Sequence, residues 1–354
     1  MTRADANTRD NGRVTRPARP VSINDVADRA SVSIATVSRV LNTPSKVAAG
    51  TAQRVQAAIA DLGYRPNLFA KGLVTKRSRV IGISLPDLHG DFYSALMRGA
   101  DEHAYDLGYH LLVMSNAHGD RVNPGTNGFA MDLIDGLVTI VTESSQTGID
   151  ALAELQMPVV VLGTDAPDGD ISSISFDQEA GAAEATAHLL DTTPPERVMF
   201  VGGHRGNLDS DARLRAFMAT LRAASHPGPL SEQIFHGEFT VEWGWNWAEQ
   251  MLAEGRLRGA AVLAGNDEIA VGIVDAARDR GLSVPDDLRV VGFDDSRLCQ
   301  LLRPTLSSVR VPIREAAARA IDTIVSRLDD PERGPDRITL TTSLAVRDSS
   351  RAGV

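Results

Sequence analysis

The residues best equipped for chemistry in this 354-residue sequence fall into two sets. The first is the run Ser33-Ile34-Ala35-Thr36-Val37-Ser38-Arg39-Val40-Leu41-Asn42, where Ser33 can cap a helix and Arg39 lies one turn after Ala35 on the same face. A guanidinium presented this way can make a bidentate bond to guanine. Ile34 and Ala35 have no hydrogen-bonding side chain, so they are suited to sensing shape and thymine methyls. The second set is scattered: His89-Gly90-Asp91-Phe92-Tyr93, Gly206-Asn207-Leu208-Asp209 followed by Arg213, Gly237-Glu238-Phe239-Thr240, Gly265-Asn266-Asp267-Glu268 and Gly292-Phe293-Asp294-Asp295. Polar groups of these kinds can fix the orientation of a small ligand while a ring stacks on its apolar face. Trp243 and Trp245, in a chain with three tryptophans, could add a ring beside Phe239, with one of the two expected in a core.

Catalysis has no comparable footing. No nucleophile-elbow, Walker or dinucleotide-binding glycine pattern occurs, and the eight histidines form no His-Glu-x-x-His pair. Neither an enzyme, a metal site nor a cofactor is expected. A single cysteine, Cys299, excludes an intramolecular disulfide or a cysteine-cluster site, suits a reducing cytoplasm, and reads as a small buried filler. No window approaches the ~18 to 20 uninterrupted apolar residues of a membrane span. The N-terminus is polar and Arg-rich with no apolar stretch behind it, so export and membrane insertion are not expected.

Charge shows what must position the first set. Residues 1–78 hold 13 Lys+Arg against 5 Asp+Glu, a net of +8, and the remainder holds 23 against 41, a net of -18. A polyanion is attracted to the first segment and repelled by the rest, the footprint of a nucleic-acid module on a larger domain. Residues 1–20, with almost no apolar side chain, read as a disordered tail. Three short helices follow, Ile23 to Ala30, Ser33 to Leu41 and about Ala49 to Leu62, the third with Val55, Ala58, Ile59 and Leu62 on one stripe.

Beyond residue 78 short apolar runs alternate with longer amphipathic segments. Val80 to Leu85, Leu111 to Met114, Leu137 to Val141, Val159 to Leu162, Val198 to Val201, Ala261 to Leu263 and Val290 to Phe293 read as buried strands. Phe92 to Leu107, Gln178 to Leu190, Ala212 to Ala224 and Glu268 to Arg280 read as helices. Such alternation predicts parallel sheets covered on both faces, and there are too many strands for one compact sheet. Two similar lobes facing each other would bring the second set of residues to a cleft at the strand ends.

The stretch Ser22-Ile23-Asn24-Asp25-Val26-Ala27-Asp28-Arg29-Ala30-Ser31-Val32-Ser33-Ile34-Ala35-Thr36-Val37, continuing to Asn42, resembles the helix-turn-helix of the lactose-repressor (LacI/GalR) family. Tyr64-Arg65-Pro66-Asn67-Leu68-Phe69-Ala70-Lys71-Gly72-Leu73 resembles that family's hinge helix. The resemblance covers roughly residues 22–348. It implies a small all-α helix-turn-helix head plus an α/β body of two doubly wound parallel-sheet lobes of periplasmic-binding-protein type. The implied divisions are a tail at 1–20, the head at 21–64, hinge helix and linker at 65–78, and a two-lobed ligand-binding and dimerisation domain at 79–354.

The function implied is that of a sequence-specific DNA-binding transcriptional repressor controlled by a small ligand, a sugar, held between the lobes. An alternative of the same fold answers to a protein corepressor or a phosphorylated metabolite. By resemblance, DNA contact falls on Ser33, Ile34, Ala35, Thr36, Ser38, Arg39, Asn42, Asn67, Lys71 and Leu73, the last where the family wedges a leucine into the minor groove. Ligand contact falls on Asp91, Phe92, Asn207, Arg213, Phe239, Trp243, Asn266 and Asp294. The implied partners are double-stranded DNA with a palindromic operator, a small-molecule effector and a second copy of the chain, in the cytoplasm at the nucleoid, with no membrane. Ala48 and Gly50 stand where relatives often place a Ser cap and a phosphate-holding Lys. The helix-breaking stretch within Asn116 to Leu133 implies a shortened or looped crossover, and with seven residues after Arg347 a dimer is favoured over a tetramer.

Overall fold

Ser22 opens the first helix with a capping box, its main-chain and side-chain groups both bonded to Asp25. In the computed structural model, which describes residues 21–65, 77–115, 131–143, 151–164, 169–224 and 231–351, the chain divides into two units, Met1–Lys76 and Arg77–Val354. The first unit contains α1 (Ile23–Ala30), α2 (Ile34–Asn42) and α3 (Ala49–Leu62). Ser31, at φ 54°, turns α1 into α2 within three residues. Val26, Val37 and Val55, one from each helix, are fully buried against one another. Each contributes on the order of 1.5–3 kcal/mol by burial.

The second unit carries two six-stranded sheets. Its elements are β1 (Val80–Leu85), α4 (Asp91–Asp106), β2 (His110–Ser115), β3 (Gly136–Ile140), β4 (Val159–Leu162), β5 (Ser172–Phe176) and α5 (Gln178–Leu190). There follow β6 (Val198–Gly202), α6 (Leu208–Ala223), β7 (Ile234–His236), α7 (Val241–Ala253), β8 (Ala260–Ala264), α8 (Asp267–Asp279) and β9 (Leu288–Asp294). Last come α9 (Leu298–Leu301), β10 (Ser307–Arg310), α10 (Ile313–Asp329), β11 (Arg337–Leu340) and β12 (Ser343–Ala345). The first lobe's sheet is ordered β11-β5-β4-β3-β1-β2 and the second's β12-β10-β9-β8-β6-β7. Every pairing is parallel except β10 with β12. Unbroken apolar runs such as the wholly buried Val159–Leu162 fit strands covered on both faces.

All seven expected strands and all four expected helices of the body are present, Val80–Leu85, Val159–Leu162 and Gln178–Leu190 with the expected ends and the others with ends shifted. The helix expected from Ala212 starts at Leu208, because the Asn207 side chain accepts from the Ser210 amide and caps it there. The chain passes between lobes three times: at Asp177, at Val311 and Pro312 between β10 and α10, and at Thr341 and Thr342 between β11 and β12. The crossover expected to differ, Asn116 to Leu133, lies mostly outside the described residues. Cys299 is buried. No helix among the described residues is long and apolar enough to cross a membrane.

Candidate nucleic-acid interface and ligand cleft

The helix-turn-helix leaves one face of α2 uncovered. Val37 and Val40 face the core, while Ser33, Ile34, Ala35 and Arg39 are exposed and Thr36 and Ser38 half-buried. The Ser33 hydroxyl accepts from the Thr36 amide at 3.2 Å and lies 2.9 Å from the Thr36 hydroxyl, so the helix begins on a fixed polar pair. Beside it Ile34 is 50% exposed, an apolar group that the head's own core does not use. An exposed helix N-terminus with a guanidinium one turn on has the arrangement needed to enter a major groove. Ala48 begins α3 without a side-chain cap. The side chain of Asn42, and Asn67, Lys71 and Leu73, lie outside the described residues.

In the body, a cleft of about 270 Å³ opens between the two lobes. Asp91 and Phe92, at the start of α4, line it from the first lobe, and Asn207, Arg213, Phe239, Asn266 and Asp294 from the second. Arg213 is 4% exposed and held on several sides. Its Nε donates to Gln178 Oε1 at 3.0 Å, one terminal nitrogen donates to the Gly265 carbonyl, and the other stands 3.9 Å from Asp294 Oδ1. Its guanidinium also stacks 3.8 Å from the centroid of the Phe293 ring.

The strand end that supplies Asp294 is strained: Asp294 has φ 109° and Asp295 φ 55°, both in the left-handed region. This turns Asp294 toward Arg213, while Asp295 bonds to Arg310 at 2.8 Å and Arg347 at 2.5 Å. Phe239 is placed by a close approach, since a Cβ on Gly203 would meet its ring at 2.2 Å. Asn266 caps α8 by accepting from the Ile269 amide at 2.9 Å, and its Nδ2 donates to the Phe239 carbonyl at 3.4 Å. Both asparagines therefore build the cleft's wall as helix caps as well as lining it.

The cleft is acidic. Among the described residues, seven Asp and Glu side chains line it against one guanidinium. Burial raises Asp294 well above the usual carboxylate range against the pull of Arg213, and raises Asp209 against Arg213 and Gln178. Burial also pushes Asp267 up to about 6, although it accepts from the Ser308 hydroxyl at 2.5 Å and the Ser296 amide at 2.7 Å. Glu268 is raised by burial and by Asp91 and Asp87 across the cleft. Phe92 meets Tyr93 edge to face at 5.4 Å, giving the first lobe an aromatic corner.

Residues 22–67 match the bacterial regulatory proteins of the lacI family, and residues 186–350 match a periplasmic binding protein-like domain. Catabolite control protein A of Staphylococcus xylosus is 33% identical over 334 residues, which are 94% of this chain and 99% of that protein. This chain belongs to the lacI family of bacterial regulatory proteins. The ribose operon repressor of Escherichia coli (strain K12) is 31% identical over 332 residues, 93% of this chain and 99% of the repressor. A lac repressor dimer bound to operator and the anti-inducer ONPF superposes with a TM-score of 0.82 at 27% identity, covering 94% of this chain and 100% of that one.

This lacI-family chain is a DNA-binding transcriptional regulator, and its head and two-lobed α/β body have the architecture expected from the sequence. Of the eight residues expected at the ligand, seven line the cleft. Trp243 is the correction. Its ring lies against Gly237, where a Cβ would meet it at 2.2 Å, and it packs on the second lobe's core outside the cleft lining. Trp245 is also only partly buried; the core tryptophan is Trp247, at 2% exposure. Sequence reasoning passed over Asp209, Asp267, Glu268 and Tyr93 as site residues, although each stood in a motif already singled out. Their neighbours drew attention by residue type, whereas these four matter through burial and charge opposition that only the fold creates.

Proposed function

We propose that this lacI-family regulator is a homodimeric repressor that binds a palindromic operator through α2 and releases or grips it according to whether an uncharged sugar occupies the cleft. The observation that carries the effector reading is the ratio, among the described residues, of seven acidic side chains to one guanidinium, with that guanidinium already faced by Asp294. Carboxylates accept hydrogen bonds from sugar hydroxyls, and Phe92 and Phe239 offer faces for its C–H surfaces. The same acidic side chains disfavour a phosphate, and the one guanidinium is already engaged by Gln178, the Gly265 carbonyl and Asp294. Support comes from relatives whose names carry the chemistry: a ribose operon repressor at 31% identity, and lac repressor structures at 27% and 28% identity bound to ONPF with operator and to ONPG.

On this reading Ser33, Ile34, Ala35, Thr36, Ser38 and Arg39 face the major groove, and Asn42 is assigned to DNA contact from the sequence resemblance. Asn67, Lys71 and Leu73 join them from the hinge on the sequence resemblance alone. Asp91, Phe92, Asn207, Arg213, Phe239, Asn266 and Asp294 hold the sugar. The reading includes no catalytic step and no cofactor, in keeping with relatives that are regulators by name, and places the protein in the cytoplasm with the DNA it binds. A thermal-shift series on the full chain tests the effector class, pairing D-ribose with ribose 5-phosphate and D-glucose with glucose 6-phosphate, and adding cellobiose. A neutral sugar should raise the melting temperature and its phosphate should not. A phosphate ester that stabilises as much as its parent sugar overturns the reading.

A further inference from the structure

Gln178 is the first residue of α5, immediately after the inter-lobe crossing at Asp177, and it is 6% exposed. Its Nε2 donates to Asp209 Oδ1 at 2.9 Å, and its Oε1 accepts from Arg213 Nε at 3.0 Å. A carboxylate only accepts and a guanidinium only donates, so the amide has one orientation that satisfies both neighbours. Glutamate in its place would oppose Asp209, and lysine or arginine would oppose Arg213. Gln178 is not part of the cleft lining.

The preceding residue is clamped to another crossing. The Asp177 amide donates to the Leu340 carbonyl at 2.9 Å, and the Thr342 hydroxyl donates to the Asp177 carbonyl at 2.8 Å. Asp177 also caps α5 through its side chain, accepting from the Ala180 amide at 2.9 Å. The main chain at this point therefore cannot shift without disturbing two of the three passages between the lobes, and Gln178 extends from it to two cleft side chains on α6.

We propose that Gln178 is the positioning residue that locks Arg213 and Asp209 of the cleft to the inter-lobe crossing at Asp177, so that what occupies the cleft biases the angle between the lobes. The proposal rests on the cleft being the effector site. Coupling between sites in allosteric proteins is ordinarily about 5- to 150-fold, a range that two buried hydrogen bonds to charged groups can supply.

Amide hydrogen exchange at Asp177 in the full-length protein, without any sugar, tests the lock. Gln178→Glu should keep the bond to Arg213, set two carboxylates against each other and speed exchange at Asp177 by about fivefold or more. Adding Asp209→Asn returns a donor to that contact and should bring exchange back to within about twofold of the parent. A Gln178→Met protein supplies an independent arm: Arg213→Lys should speed exchange at Asp177 in the parent but not further in the Met background. Absence of rescue, or additive effects in the second cycle, overturns the proposal. Failure of every neutral sugar to bind would instead overturn the effector reading and leave these exchange rates unchanged.

Discussion

The guanidinium of Arg213 sits 3.8 Å from the centroid of the Phe293 ring, while the carboxylate of the very next residue, Asp294, stands 3.9 Å from one of its terminal nitrogens. Two consecutive residues thus flank the same cation, one with its ring face and one with its carboxyl group. The left-handed backbone at Asp294 lets adjacent side chains converge where an ordinary strand would send them to opposite faces.

Arg213→Lys keeps the charge but loses the planar stack and the Nε bond to Gln178. Sugar affinity measured by calorimetry should fall about 10- to 100-fold, equivalent to about 1.4–2.8 kcal/mol and within the range for buried polar groups left unpaired. An affinity within twofold of the parent would remove Arg213 from the site.

Gly203→Ala places a methyl against the Phe239 ring, where a Cβ has 2.2 Å of room. The ring must move. Sugar affinity should drop by about fivefold, the scale of one lost aromatic contact of about 1 kcal/mol. Unchanged affinity with a displaced ring would show that Phe239 closes the wall without touching the sugar.

The pH dependence has a definite sign. Asp267, raised from 3.8 to about 6, favours the folded state most when protonated. Its contribution is complete below about pH 4 and is lost as pH rises through about 6, at most about 3 kcal/mol for a shift of this size. Denaturant unfolding of Asp267→Asn should therefore lose less stability than the parent between pH 5 and pH 8. An equal loss in both proteins would mean that Asp267 is not the group responsible.

Arg39→Ala should cost about 1–3 kcal/mol of base discrimination and relax preference at one guanine per half-site. Competition binding between a selected operator and its guanine-substituted variant measures this. A uniform loss on all sequences would reassign Arg39 to phosphate contact.

The sequence was most readable where one physical rule dominated. Val159–Leu162 is an unbroken apolar run, and Val80–Leu85 is interrupted only by Gly82 and Ser84, so burial on both faces can be inferred without knowing the neighbours. Ser172–Phe176 and Ser307–Arg310 are just as much sheet strands, yet their serines hide them from an apolar-run reading. Ser307 and Ser308 are fully buried because Ser349 and Arg347 satisfy the first and Asp267 the second, partners that lie roughly 40 residues away in the chain. The cleft follows the same division. Arg213 and Phe239 stood in motifs to which the family resemblance assigns ligand contact, but Gln178 had no sequence signal at all, because its importance comes from lying between two side chains on a different helix.

The last two strands, β11 and β12, belong one to each sheet and sit at the edges of both. On a ribosome neither lobe can complete its sheet until residues 337–345 have emerged, whereas the three helices of the head are free to pack as soon as residue 62 is clear. A nascent or prematurely terminated chain would then carry a folded DNA-reading head without a sensor able to control it.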